Sequence, residues 1–199
     1  FTMEHMDDKI VDPNEEPSPY NESGQSITTD NDYLYVITCS GAGSTNIIKY
    51  SLGDYSMAKT VTLPSQYTYG HAIRYANGAL FATGAATPPW VVKLKTSDLS
   101  FEGGQVFSEG KIATDEFAFS DRYMFIGLET TIHDQLSGAI FRIDTSDVTH
   151  PPYIIETGAK GDVNSTGDYN GQCYAVQEND NYIWALFATL PGILTRIDP

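Results

Sequence analysis

Short runs in which apolar and polar residues alternate fill this chain, and one of them recurs. It reads Ile48-Lys49-Tyr50-Ser51, Val92-Lys93-Leu94-Lys95, Phe141-Arg142-Ile143-Asp144 and Thr195-Arg196-Ile197-Asp198. A basic residue set between apolar neighbours with period two is the mark of a half-buried strand. The first three copies run into polar turns, Leu52-Gly53-Asp54, Thr96-Ser97-Asp98 and Thr145-Ser146-Asp147. Successive basic positions lie 44, 49 and 54 residues apart, so the chain reads as an array of similar units. No helical periodicity of useful length interrupts it.

Each unit follows one grammar. In the first, strands are predicted at residues 25–29, 33–38, 47–52 and 59–63, with Asp30-Asn31-Asp32 and Gly41-Ala42-Gly43-Ser44 as turns. The second places strands at 71–75, 79–83, 90–95 and 104–107, and Asn77-Gly78 is a tight hairpin signal. The third has strands at 116–119, 123–127, 139–143 and 153–156, with a long loop expected at 129–137. The fourth has strands at 172–176, 182–186 and 193–197 and lacks a fourth. The units therefore span about 25–70, 71–111, 112–160 and 161–199, after an acidic, proline-containing arm at 1–24 in which only Lys9-Ile10-Val11 resembles a strand.

Meander units of this kind resemble the blades of β-propellers. The alternating apolar–basic third strand and its polar turn look most like the NHL, YVTN and quinoprotein-like propeller families, from about Ser26 to Pro199. The resemblance implies an all-β fold of four-stranded antiparallel blades, about four of them in this chain, with sheet edges hidden by radial repetition. There is no WD dipeptide and no Asp-box, so no subfamily follows. The missing last strand leaves two arrangements open. Residues 9–11 pair into the fourth blade and close a small ring, or the chain is part of a larger propeller.

Charge narrows the partners. Eleven basic against 26 acidic side chains give a net charge of −15, a field that repels phosphate backbones and anionic membrane surfaces. Nucleic acid is therefore not an expected partner, and no apolar run approaches the roughly 18 residues of a membrane span. A chain rich in Gly, Tyr, Thr, Ser and Asn with only 19% charged residues suits an extracellular or virion-associated all-β protein. Cys39 and Cys173 are too few for a disulfide scaffold and read as two buried free thiols.

Propellers as a class bind ligands at the channel mouth, and the loops joining one blade to the next build that rim. The resemblance assigns it to residues 65–70, 109–115 and 157–171, which makes Tyr67, Tyr69, His71 and Asp115 the candidate ligand-binding residues. Tyrosine offers a flat apolar face with a hydroxyl handle, suited to protein or sugar. In the third loop, Asp162, Asn164, Thr166, Asp168 and Asn170 place oxygen at alternating positions with Gly167 sixth, like the front half of an EF-hand calcium loop. The acid expected twelfth is absent, since that position is Cys173. The stripe Lys49, Lys93, Arg142 and Arg196 is expected to be structural, its stems covering apolar surface and its heads pairing with acids. No catalytic set is predicted. The expected function is a noncatalytic propeller binding a protein or glycan through its rim loops. One alternative is a structural assembly subunit that self-associates through its N-terminal arm. The other is a lyase or hydrolase using His71, Asp115 and Glu116 at the channel mouth.

Overall fold

In a computed structural model the described residues are 22–108, 111–132, 135–160, 173–179, 182–189 and 192–199. They form antiparallel sheets that meander in chain order. The first holds β1 (Glu22–Thr29), β2 (Tyr33–Ser40), β3 (Thr45–Ser51) and β4 (Met57–Thr62). The second holds β5 (Gly70–Ala76), β6 (Ala79–Gly84), β7 (Trp90–Lys95) and β8 (Phe101–Val106). The third holds β9 (Lys111–Ser120), β10 (Tyr123–Ile132), β11 (Gln135–Asp144) and β12 (Tyr153–Lys160). The fourth is three-stranded, with β13 (Cys173–Asn179), β14 (Tyr182–Phe187) and β15 (Ile193–Ile197). The first strands are neighbours in the order β1, β5, β9, β13, and no comparable packing joins β13 to β1 among the described residues. The sheets are propeller blades, innermost strand first.

The core lies between the blades. Tyr35, Ile37 and Ile47 of the first blade pack on Ile73, Leu80, Ala82, Val92 and Leu94 of the second. The other face of the second blade, with Ala72, Phe81 and Val91, packs on Phe117, Met124, Ile126, Phe141 and Ile143 of the third. Ala118, Phe125 and Ile140 then meet Val176, Ile183, Ala185 and Phe187. Alternation sends odd residues to one neighbour and even residues to the other, so all of β6 is buried. Each fully buried large side chain contributes about 1.5–3 kcal/mol.

The basic stripe ties blades together. Lys49, only 5% exposed, donates to the carbonyl oxygens of Thr96 (2.7 Å) and Ser97 (3.2 Å) in the next blade's turn, and its ammonium lies 3.7 Å from the Tyr33 ring centroid. Lys93 repeats the contact on Thr145 at 3.0 Å. Arg142 instead lies between the rings of Tyr123 and Tyr153, at 4.8 and 5.0 Å. The expected pairing with acids is thus largely replaced by carbonyls and rings; among the described residues the stripe's ion pairs are Lys93 with Glu102 (3.8 Å) and Arg196 with Asp198 (4.0 Å).

The polar turns are built on aspartates. Asp54, Asp98, Asp144 and Asp147 each accept the backbone N–H two residues on. Hydrogen bonds from the neighbouring Ser or Thr hold these carboxyls below the usual range. Asp30 does the same in the β1–β2 turn and also accepts the Tyr35 hydroxyl at 2.7 Å. Burial works to raise the Asp30 carboxyl, and its hydrogen bonds with Tyr35, Asp32 and Tyr33, aided by the Lys49 charge, outweigh that and lower it. Asn77 and Gly78 have φ of 50° and 79°, the paired positive values of the predicted hairpin turn.

Several expectations are corrected. The long loop at 129–137 is mostly strand: Glu129 pairs with Gly138, Thr130 with Ser137, Thr131 with Leu136 and Ile132 with Gln135. The β-branched run Thr130-Thr131-Ile132 extends the hairpin, which turn-forming residues nearby had obscured. Strand β9 begins at Lys111, inside the segment assigned to the second rim loop, and β12 continues to Lys160, inside the third. Both thiols are free, but only Cys173 is buried, and Cys39 is half-buried. The Lys9-Ile10-Val11 segment lies outside the described residues.

Two outcomes follow from these contacts. Replacing Lys49 by Met keeps the stem and removes the donor, so the Thr96 and Ser97 carbonyls lose their cross-blade partner at a cost of about 1–3 kcal/mol in urea unfolding; Lys59→Met on exposed β4 changes stability by less than about 0.5 kcal/mol. Burial pushes the Cys173 thiol from 9.0 up to about 12. The unfolded chain therefore releases this proton first, and stability falls as pH rises between those values. Burial, and then the Asp30 hydrogen bond, also raise Tyr35, adding to the loss above its ordinary value of 10.0. In denaturant titrations at about pH 8 and about pH 11, Cys173→Ala flattens part of that slope.

Candidate functional site

Three of the inner strands carry a one-residue bulge at corresponding places. In β1 the pairing shifts between Gly24 and Ser26, which leaves Gln25 as the extra residue. The shift between Gly70 and Ala72 in β5 leaves His71, and that between Cys173 and Ala175 in β13 leaves Tyr174. In β9 the irregularity is larger: Phe117 pairs with Ile126 and Ile112 with Leu128, so residues 113–116 stand opposite Gly127 alone. A bulge bends its strand and re-aims a side chain, and such devices concentrate beside functional sites. At this end of the propeller the bulged inner-wall positions are therefore Gln25, His71, the 113–116 segment and Tyr174.

The loop entering β5 is fixed from both sides. The Tyr69 N–H donates to the Gly43 carbonyl at 2.8 Å, and the Tyr69 carbonyl accepts the Ala85 N–H at 2.9 Å. Indole Nε1 of the fully buried Trp90 donates to the Thr68 carbonyl at 2.6 Å, and the Gly70 N–H donates to Thr45 Oγ1 at 2.8 Å. The loop is thereby bonded to the β2–β3 turn of one blade and the β6–β7 turn of the next. Tyr69 has a φ of 53°, a conformation costly for a bulky residue, and these bonds hold it there. Its ring lies against Gly43, where an added Cβ would come within 3.1 Å of it, and Gly43 itself has a φ of 86°.

The candidate residues fall into different places. Tyr69 is 53% exposed and faces outward from this braced loop, whereas Tyr67 is 5% exposed. Tyr67 packs edge-on to Trp90 at 5.5 Å and against Phe101 at 5.7 Å, so it anchors the loop from inside. His71 is half-buried at the β5 bulge. Asp115 lies in the irregular stretch of β9, with its side chain outside the described residues, as is that of Glu116. Asp162, Asn164, Thr166, Asp168 and Asn170 all lie outside the described residues. Among the described residues, no group of three or more His, Cys, Asp or Glu side chains is placed to hold a metal.

Gln25 and Tyr174 are inner-wall positions that strand alternation did not single out. A bulge breaks the period of two, so the predicted strands at 25–29 and 172–176 contain both residues without marking them as wall positions. Their signal is a shared small–large–small–aliphatic phrase: Gly24-Gln25-Ser26-Ile27, Gly70-His71-Ala72-Ile73 and Cys173-Tyr174-Ala175-Val176.

No protein-family model and no curated protein matches this chain by sequence. Solved structures do match by shape. BamB from Moraxella catarrhalis superposes with a TM-score of 0.56 at 14% identity, over 88% of this chain and 46% of that one. A chain of the mitotic checkpoint complex gives 0.56 at 12% identity, over 89% and 53%. A prolyl endopeptidase gives 0.55 at 10%, over 89% and 25%. These likenesses show the fold: the chain is a β-propeller array. It spans about half the length of BamB and of the checkpoint chain.

The bracing of Tyr69 is open to a direct check. Gly43→Ala places a methyl at positive φ and against the Tyr69 ring, so it destabilises the protein by about 1 kcal/mol or more. Hydrogen exchange at the Tyr69 amide, protected by the Gly43 carbonyl, speeds up by more than the change in global stability accounts for.

Proposed function

We propose that this chain is a noncatalytic binding propeller that takes a protein partner at the rim formed by the Tyr69 loop and the bulged inner strands. One observation carries the reading: Tyr69 is a half-exposed aromatic on a backbone held by bonds to two blades. A rigid, amphipathic ring offers contact area at little entropic cost, which is why tyrosine is favoured in binding surfaces. The exposed Tyr174, at the equivalent bulge on β13, extends the same surface. An extracellular or virion setting belongs to the proposal through the chain's composition and its net charge of −15, which favours basic partner surfaces.

The fold by itself is neutral between binding and catalysis, since the matched structures include a checkpoint-complex chain and a prolyl endopeptidase. A glycan would also take an exposed tyrosine, and the test separates it. A photo-crosslinking amino acid at position 69 is compared with one at Tyr55, which is exposed in the β3–β4 turn. Crosslinks to one protein species at 69 and not at 55, lost on competition with unmodified chain, are the expected result. Tyr69→Ala then weakens the isolated complex at least about tenfold without lowering the melting temperature. Equal labelling at both positions, or retention on a glycan array that Tyr69→Ala abolishes, would overturn the protein reading.

A further inference from the structure

One face of each blade is built on the same positions, and in the fourth blade it is open. Register aligns Tyr35 with Phe81, Phe125 and Trp184, and Ile47 with Val91, Ile140 and Leu194. The first three members of each set are sealed under the next blade, with exposures of 0–1%. The fourth members are not: Leu194 is 62% exposed, Leu186 beside it 43%, and Trp184 only half-buried. The opposite face is open on the first blade. Leu34, Val36, Ile48 and Tyr50, the counterparts of Leu80, Ala82, Val92 and Leu94, are half-buried, and Ile27 beside them is 64% exposed.

The polar tie stays within its own blade at the same place: among the described residues Arg196 meets Asp198 at 4.0 Å and the Tyr182 ring at 4.4 Å. Lys49 and Lys93 reach carbonyls three or four residues beyond the basic residue of the following blade. Arg196 is the fourth basic residue, on the open face across from Trp184, and its side chain is 53% exposed. Counted the same way from Lys49, the corresponding acceptors in the first blade are the carbonyls of Leu52 and Gly53, next to the exposed carboxylate of Asp54. A cation at one open face thus matches acceptors and an anion at the other.

We propose that a second copy of this chain covers these faces, the fourth blade of each copy seating on the first blade of the other, so that two copies close one ring. The contact repeats an interface the chain already makes between each pair of consecutive blades, and a heterologous contact that closes gives a finite ring. Like net charges oppose the association, so raising salt from low to moderate tightens it.

The test is the solution mass of the whole chain, by light scattering and sedimentation across a concentration series. The expected mass is twice 21.8 kDa. Leu194→Glu and Ile27→Glu each replace a residue exposed in the single chain, so each variant keeps the wild-type circular dichroism and melts cooperatively. Each raises the dissociation constant at least about a hundredfold, because a carboxylate without a partner is buried at the contact. Mixing the two variants gives a heterodimer tighter than either variant alone, held by one intact contact between the fourth blade of the Ile27→Glu chain and the first blade of the Leu194→Glu chain, while both carboxylates fall in the other contact. A wild-type chain that stays monomeric at all concentrations overturns the proposal and leaves the faces to blades of a longer polypeptide. So does a dimer insensitive to both charges, or one lost only when residues 1–21 are removed, which would assign assembly to the N-terminal arm.

Discussion

Each sheet in this chain has two apolar faces, and both must be kept from water. Helices or a second sheet could cover them, but among the described residues what covers them is more copies of the same sheet. Stacking them radially makes every inner blade a partner to two others, and β6 is the clearest result, since none of its six residues reaches solvent. The outermost strands show the converse: β4 has five of six residues exposed, because it has one neighbour in the sheet and none beyond. The hydrophobic driving force is thus spent between blades rather than within them. On the fourth blade one such face keeps Leu186 and Leu194 exposed.

Apolar faces alone would let adjacent blades slide, and the basic third-strand residues supply direction. Lysine suits that task, since a compact ammonium on a long apolar stem passes over Tyr33 and still reaches the Thr96 carbonyl. A guanidinium is planar, and at the third repeat it stacks between two tyrosine rings. One sequence position therefore does two jobs according to the chemistry of its cation. The acceptors stay in place because aspartates bind the turn's own N–H groups, leaving the carbonyls to point toward the neighbouring blade.

Much of this was legible in the sequence. Period-two alternation marked the strands, Asn77-Gly78 marked its turn, and the recurrence of a basic residue gave the four sheets seen among the described residues. Longer hairpins were harder to see, because Glu129, Thr130 and Thr131 form a polar run with no apolar alternation to mark it. The inner-strand bulges were hidden for another reason. Pattern reading assumes an unbroken period, and a bulge inserts one residue that breaks it. Tyr67 and Tyr69 had the same chemistry on paper. Only the positive φ at Tyr69 sends one ring inward to Trp90 and its neighbour but one outward.

The two ends of each blade use different devices. At the turn end, Asx motifs and positive φ at Tyr55, Asn77, Leu99 and Asp121 shape the short turns whose carbonyls meet the neighbouring blade. At the rim end, the inner strands carry extra residues at Gln25, His71 and Tyr174, and Tyr69 is held at positive φ beside Gly43. Strain of order 1–3 kcal/mol at a bulky residue persists where surrounding bonds over-determine it. Here those bonds come from two blades at once, so the orientation of the Tyr69 ring depends on how those blades are stacked. Anything that loosens the blades on one another therefore frees the Tyr69 ring with them.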